Sequence, residues 1–122
     1  MGMKLRIELF PRDMDRFFDF YTRVLRFSVD RDERDLPISY VAIHRDEVRI
    51  AALRSWSSAS PEQRHPPVGI EIVLEVDDLE AEREVIVSHG WALEDDLALQ
   101  PWGLWDFRVL DADGYYLRFT TR

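Results

Sequence analysis

One arrangement occurs twice along this chain and limits its fold more than any other feature: an alternating apolar stretch, an aspartate, a helical stretch, then strand-like runs. In the first copy Leu5, Ile7 and Leu9 alternate with Lys4, Arg6, Glu8 and Phe10 over Lys4 to Phe10, the period of a half-buried strand. Asp13 is a good N-cap, and Met14, Phe17, Phe18, Tyr21, Val24 and Leu25 follow at spacings of three and four, one face of a helix. A short strand is expected at Phe27 to Asp30, with a charged loop through Asp35. Strands at Ser39 to Arg45 and Glu47 to Leu53 come next, with Arg45-Asp46 turning between them.

The second copy opens at Val68 to Val76, where Ile70, Ile72 and Leu74 alternate with Glu71, Val73 and Glu75. Asp77 or Asp78 caps a helix carrying Leu79, Ile86 and Val87, which His89 and Gly90 close. Trp91 to Glu94 reads as a short strand and Asp95-Asp96 as a loop. The chain then ends in a hairpin, Trp102 to Thr121, built around Asp111-Ala112-Asp113-Gly114, whose Asp-Gly pair supplies the positive φ of a tight connection. Along its last strand Tyr115, Leu117 and Phe119 point one way, and Tyr116, Arg118 and Thr120 the other. IELFPRDMD at Ile7 to Asp15 lies over IVLEVDDLE at Ile72 to Glu80. The expected class is α+β, with β-α-β-β-β modules at 1–53 and 68–122 joined by a Ser- and Pro-rich linker at 54–67.

With 122 residues, there is room for one domain or two small similar lobes. The 33% charged content, the lack of a long apolar run and the charged start MGMKLRIELF lead us to expect a soluble cytoplasmic protein without a membrane span. Zero cysteines close thiol chemistry and thiolate metal sites. A formal net charge of -8 works against nucleic acid and anionic membranes. There is no G-x-S-x-G elbow and no Gly-rich phosphate loop in a chain with five glycines.

Asp13-Met14-Asp15-Arg16-Phe17-Phe18-Asp19-Phe20-Tyr21 with Val24-Leu25, and FRVLDADGYYLRF near the end, together resemble the vicinal oxygen chelate superfamily. That superfamily groups glyoxalase I, extradiol dioxygenases and bleomycin-resistance proteins. The resemblance implies two βαβββ modules edge to edge, their curved sheets lining a ligand cleft, often in a homodimer. It also implies, in metal-dependent members, four ligand positions. Here these fall on Arg6, on Ala51 or Ala52, on Glu71 and on Arg118. A guanidinium offers no lone pair to a metal, so neither a metal nor another cofactor is expected. A site rebuilt from Glu8, Glu75, Asp106 or His44 is the alternative, and with it lyase, isomerase or dioxygenase chemistry.

Alternation points Arg6, Glu8, Tyr40, Ala42, His44, Glu71, Val73, Asp106, Arg108, Tyr116, Arg118 and Thr120 towards the implied cleft. Arg6, Glu71 and Arg118 are expected to form an ion network where relatives hold the metal. Either it replaces the ion structurally, or one guanidinium stays free for an anionic ligand group. Trp56, Trp102, Trp105 and Tyr40 are walls for a flat or cationic ligand, or else cover a core or a dimer interface. His89 reads as a helix-end residue and His65 as a linker residue. His44, with Glu8, is a candidate proton carrier. The expected function is sequestration of a small organic molecule; an enzyme and a pure interaction module are the alternatives.

Overall fold

The computed structural model describes residues 2–54 and 69–121. The chain divides into two compact units, Met1–Arg64 and His65–Arg122. The expected linker at 54–67, apart from Arg54, lies outside the described residues, as do Trp56 and His65.

The first unit holds β1 (Ile7–Leu9), α1 (Met14–Asp19) running into a π-helical turn (Phe20–Val24), β2 (Ser28–Glu33), β3 (Tyr40–Arg45) and β4 (Val48–Leu53). Its sheet order is β1-β4-β3-β2, with β1 parallel to β4 and the other pairs antiparallel. Asp13 caps α1 as expected, its carboxylate accepting from the backbone N–H groups of Asp15 and Arg16 at 3.0 and 3.1 Å. The buried stripe is Met14, Phe17, Phe20, Tyr21, Val24 and Leu25. Phe20 therefore takes the place expected of Phe18, which is half-buried with the Arg34 guanidinium 3.7 Å over its ring. Arg34 is held there by Asp32 and Asp15, and its bond to Asp32 draws that carboxyl below its usual range.

Two boundaries move in this unit. Residues 28–33 form one strand rather than a short strand and a loop, because a bulge at Asp30 lets the charged stretch keep pairing with β3. The β3–β4 turn is Asp46-Glu47, with Asp46 at φ 52, a left-handed angle that Asp tolerates. The register places Ala51 beside Glu8 and Ala42, on the face opposite Ile7, Ile43 and Ile50.

In the second unit the elements are β5 (Ile72–Glu75), α2 (Leu79–Ser88), β6 (Asp95–Leu99), β7 (Trp105–Leu110) and β8 (Tyr116–Thr120), in sheet order β5-β8-β7-β6. Asp78 is the cap of α2. Leu74, Leu79, Ile86, Phe107, Val109, Leu117 and Phe119 are buried, and the Phe107 and Phe119 rings stack at 5.0 Å. Val87, expected on the apolar stripe, is exposed, and Glu82 is buried instead. Strands β1 and β5 are both shorter than their alternating stretches, since Leu5 and Ile70 are exposed.

Asp95-Asp96 is the start of β6 rather than a loop, and Trp91 to Glu94 precede the strand. Its acidic residues have partners: Arg83 of α2 grips Asp96 through two bonds of 2.6 and 2.9 Å, and Arg108 lies 3.9 Å from Asp95. Arg83 brings the Asp96 carboxyl down to about 2, the bond to Arg83 leading and that from the Leu97 N–H following. A lowered carboxylate stabilises the fold above its unfolded value near 3.8 and loses that contribution as pH falls towards 2. Carbon NMR of the Asp96 carboxyl should therefore show its midpoint near 2 and, in Arg83→Gln, a rise towards the ordinary carboxylate range that the remaining Leu97 N–H bond keeps incomplete.

Both hairpins of this unit use the same loop. Gln100 N–H bonds to Leu104 O and Gly103 N–H to Gln100 O, both at 2.9 Å. Asp111 N–H bonds to Tyr115 O at 3.0 Å and Gly114 N–H to Asp111 O at 3.1 Å. Gly103 and Gly114, at φ 93 and 91, close the three-residue connections. The Asp111 carboxylate adds bonds from the Asp113 and Tyr115 N–H groups. Tyr115 thus closes the loop and lies just before the strand.

Candidate functional site

The register Val73–Arg118–Arg108–Asp95 and its neighbour Glu75–Thr120–Asp106–Ala98 run across the second sheet. Glu71, Asp106, Arg108, Tyr116 and Arg118 share that face by alternation, opposite Phe107 and Phe119. Four of them meet. Arg108 Nε donates to Glu71 Oε1 at 2.7 Å, and its Nη1 lies 3.8 Å from Asp106 Oδ1. This bond to Glu71 raises the Arg108 pKa above the usual guanidinium range, against the lowering effect of burial.

Arg118 is held differently. Its Nε is 3.5 Å from Glu71 Oε2 and its Nη1 is 3.6 Å from Asp106 Oδ2, both ion-pair distances. Its buried Nε has no hydrogen-bond partner among the described residues, and neither has Asp106 Oδ2. The Asp106 side chain is only 1% exposed, whereas that of Arg118 is 22% exposed. The other Asp106 oxygen accepts from Gln100 Nε2 at 2.8 Å. Sequence reasoning passed over Gln100; its place just before a Pro-Trp-Gly turn facing an acidic strand is the signal that points to it.

Trp102 rides on that turn, 58% exposed, with its ring centre 5.9 Å from Arg118 Cζ. Trp105 is the first residue of β7, half exposed, and alternation puts it on the Phe107 side, away from Arg118. Tyr116 is exposed beside the cluster. In the first unit Arg6 pairs with Glu8 at 2.9 Å, and His44 Nδ1 lies 2.7 Å from Asp30 Oδ1, the carboxylate of the bulge. Tyr40 and Glu8 share the face of His44 and Ala51.

The donor set does not fit a divalent ion at the four positions where the resemblance places one. Ala51 carries no donor atom, Arg6 and Arg118 are guanidinium groups, and both oxygens of Glu71 face guanidinium nitrogens. Among the described residues no group of three or more His, Asp or Glu side chains is arranged to hold a metal.

Comparison with known structures places the fold. The chain resembles TioX from Micromonospora sp. ML1 with a TM-score of 0.80 at 20% identity, covering 98% of each chain. It resembles TnmS3, an antibiotic binding protein from Streptomyces sp. CB03234, with a TM-score of 0.76 at 18% identity, covering 99% of this chain and 96% of that one. A bleomycin resistance determinant encoded on the transposon Tn5 gives a TM-score of 0.75 at 22% identity over 99% of this chain and 98% of that one. No curated protein sequence matches. The model of one family matches residues 5–119, almost the whole of both units. The chain belongs to the Glyoxalase/Bleomycin resistance protein/Dioxygenase superfamily.

Proposed function

We propose that the protein binds and sequesters a small, flat organic molecule on the open face of its second unit, without a metal ion. The observation that carries this reading is Arg118, a part-buried guanidinium whose side chain is 22% exposed and which Glu71 and Asp106 hold only at ion-pair distances of 3.5 and 3.6 Å, beside an exposed tryptophan ring. An Arg in that state can donate to a ligand oxygen, while the Trp102 ring offers a stacking surface. Two proteins of the same fold are described as an antibiotic binding protein and a bleomycin resistance determinant, which supports binding over turnover. The reading includes a homodimer, as the family resemblance implies, working in the cytoplasm. Among the described residues no helix is long and apolar enough to cross a membrane.

A melting screen over flat aromatic compounds tests it. Binding to the folded state raises Tm by mass action, and the rise should shrink in Arg118→Met and Trp102→Ala. A panel that leaves Tm unmoved, or near-stoichiometric iron, nickel, zinc or manganese in the purified protein, overturns it. The observation favouring an enzyme is the His44–Asp30 pair, in which the carboxylate orients the ring and leaves Nε2 for proton transfer.

A further inference from the structure

We infer that the ligand group received by Arg118 is a neutral oxygen acceptor, a carbonyl or amide oxygen, and not a carboxylate or phosphate. The inference rests on the binding role proposed above and narrows the ligand class. It follows from comparing what Arg118 lacks with what surrounds it.

What Arg118 lacks is a hydrogen bond. Its Nε finds no acceptor, and Glu71 and Asp106 stand at 3.5 and 3.6 Å, outside good hydrogen-bond distance. Arg108 differs, because its Nε is taken by Glu71 at 2.7 Å. The Nε itself is closed to solvent, so an arriving oxygen reaches the guanidinium through the exposed part of the side chain, which Asp106 holds only at an ion-pair distance of 3.6 Å.

What Arg118 does not lack is negative charge. Glu71 and Asp106 flank it, and Asp95 lies 3.9 Å from Arg108, so two guanidinium groups face three carboxylates. An incoming anion would gain the attraction of Arg118 and suffer repulsion from carboxylates only a few ångströms further away. The attraction of Arg118 and the repulsion from Glu71 and Asp106 fall in the same part-buried setting, so solvent screens neither selectively, while the exposed Asp95 adds a weaker, screened repulsion. The formal charge of -8 on the chain acts in the same direction. A neutral acceptor gains the hydrogen bond and meets no such repulsion. Trp102, with its ring centre 5.9 Å from the guanidinium carbon, sets where the flat part of the ligand lies, about one ring away from the accepting oxygen.

Two probes with the same ring and different charge decide the matter, 2-naphthamide and 2-naphthoate. Each is titrated into nitrogen-15-labelled protein at neutral pH while the Trp102 indole N–H and the Arg118 Nε–H are followed. We expect the amide to bind at least about tenfold more tightly than the carboxylate, and Arg118→Met to weaken the amide by about tenfold, the scale of one charge-assisted hydrogen bond. Trp102→Ala should weaken both probes. Equal or tighter binding of naphthoate overturns the inference while leaving the binding role standing; an Arg118→Met protein that keeps full affinity for the amide overturns the inference and removes Arg118 from the binding role. The wild-type preference alone decides between the probes even where Arg118→Met fails to fold. If neither probe shifts either signal, both the inference and the binding role at this face are overturned.

Discussion

Phe20→Ala should lower the unfolding free energy by about 3–5 kcal/mol, the range for deleting a large aromatic from a close-packed core. The Phe20 side chain is fully buried and meets Tyr21 edge-on at 5.1 Å, while Tyr21 contacts Phe17 at 4.7 Å and Phe27 at 5.7 Å. The backbone there has little freedom to close the cavity. Phe20 begins the π-helical turn, its carbonyl accepting from the Leu25 N–H at 3.0 Å, and Arg45 Nη1 donates to the Leu25 carbonyl. Phe18→Ala should cost only about 1 kcal/mol, since it removes a half-buried ring and one cation–π contact. Urea unfolding of the two variants measures the difference. A Phe18→Ala loss equal to or above that of Phe20→Ala would show that the helix buries another side.

Asp106→Ala should cost about 2–3 kcal/mol. Removing a buried ion-pair partner typically costs about 3–5 kcal/mol because the remaining charge is left uncompensated. Here the loss is smaller for two reasons. Arg118 and Arg108 are each 22% exposed and keep Glu71, and Asp106 Oδ2 has no hydrogen bond to lose. Gln100 Nε2 loses its acceptor, which loosens the turn that carries Trp102. Denaturant midpoints measure the cost. Indole fluorescence of Trp102 should also shift, whereas an unchanged spectrum would separate the turn from the cluster. Asp106→Asn should recover part of the stability, because an amide oxygen can still accept from Gln100.

Much of this was legible in the residues. Asp13 and the pair Asp77-Asp78, of which Asp78 is the cap, announce their helices because a cap acts on N–H groups only two or three residues ahead. The shared face of Asp106, Arg108, Tyr116 and Arg118 follows from alternation alone. The edge of the first helix's stripe was not legible. Phe17, Phe18, Phe20 and Tyr21 are all apolar, so periodicity admits either neighbour, and Arg34 settles it by covering Phe18. Strand β6 was hidden for a related reason: two adjacent aspartates read as a loop until Arg83, 13 residues earlier, is seen to hold one of them.

The residue types by themselves determined the order of elements, the caps, the turns and which side chains share a face, since each depends on neighbours a few positions apart. Together with the superfamily match they also disfavour a metal at the four usual positions, because chemistry at Arg6 and Arg118 does not depend on geometry. Only the tertiary structure decided which guanidinium is satisfied. Arg108 and Arg118 sit on the same face with Glu71 37 residues before Arg108, and which of them it bonds turns on tenths of an ångström between strands brought together by folding. That long-range choice leaves Arg118 held only at ion-pair distance beside Trp102, and it turns a charged strand into a candidate binding face.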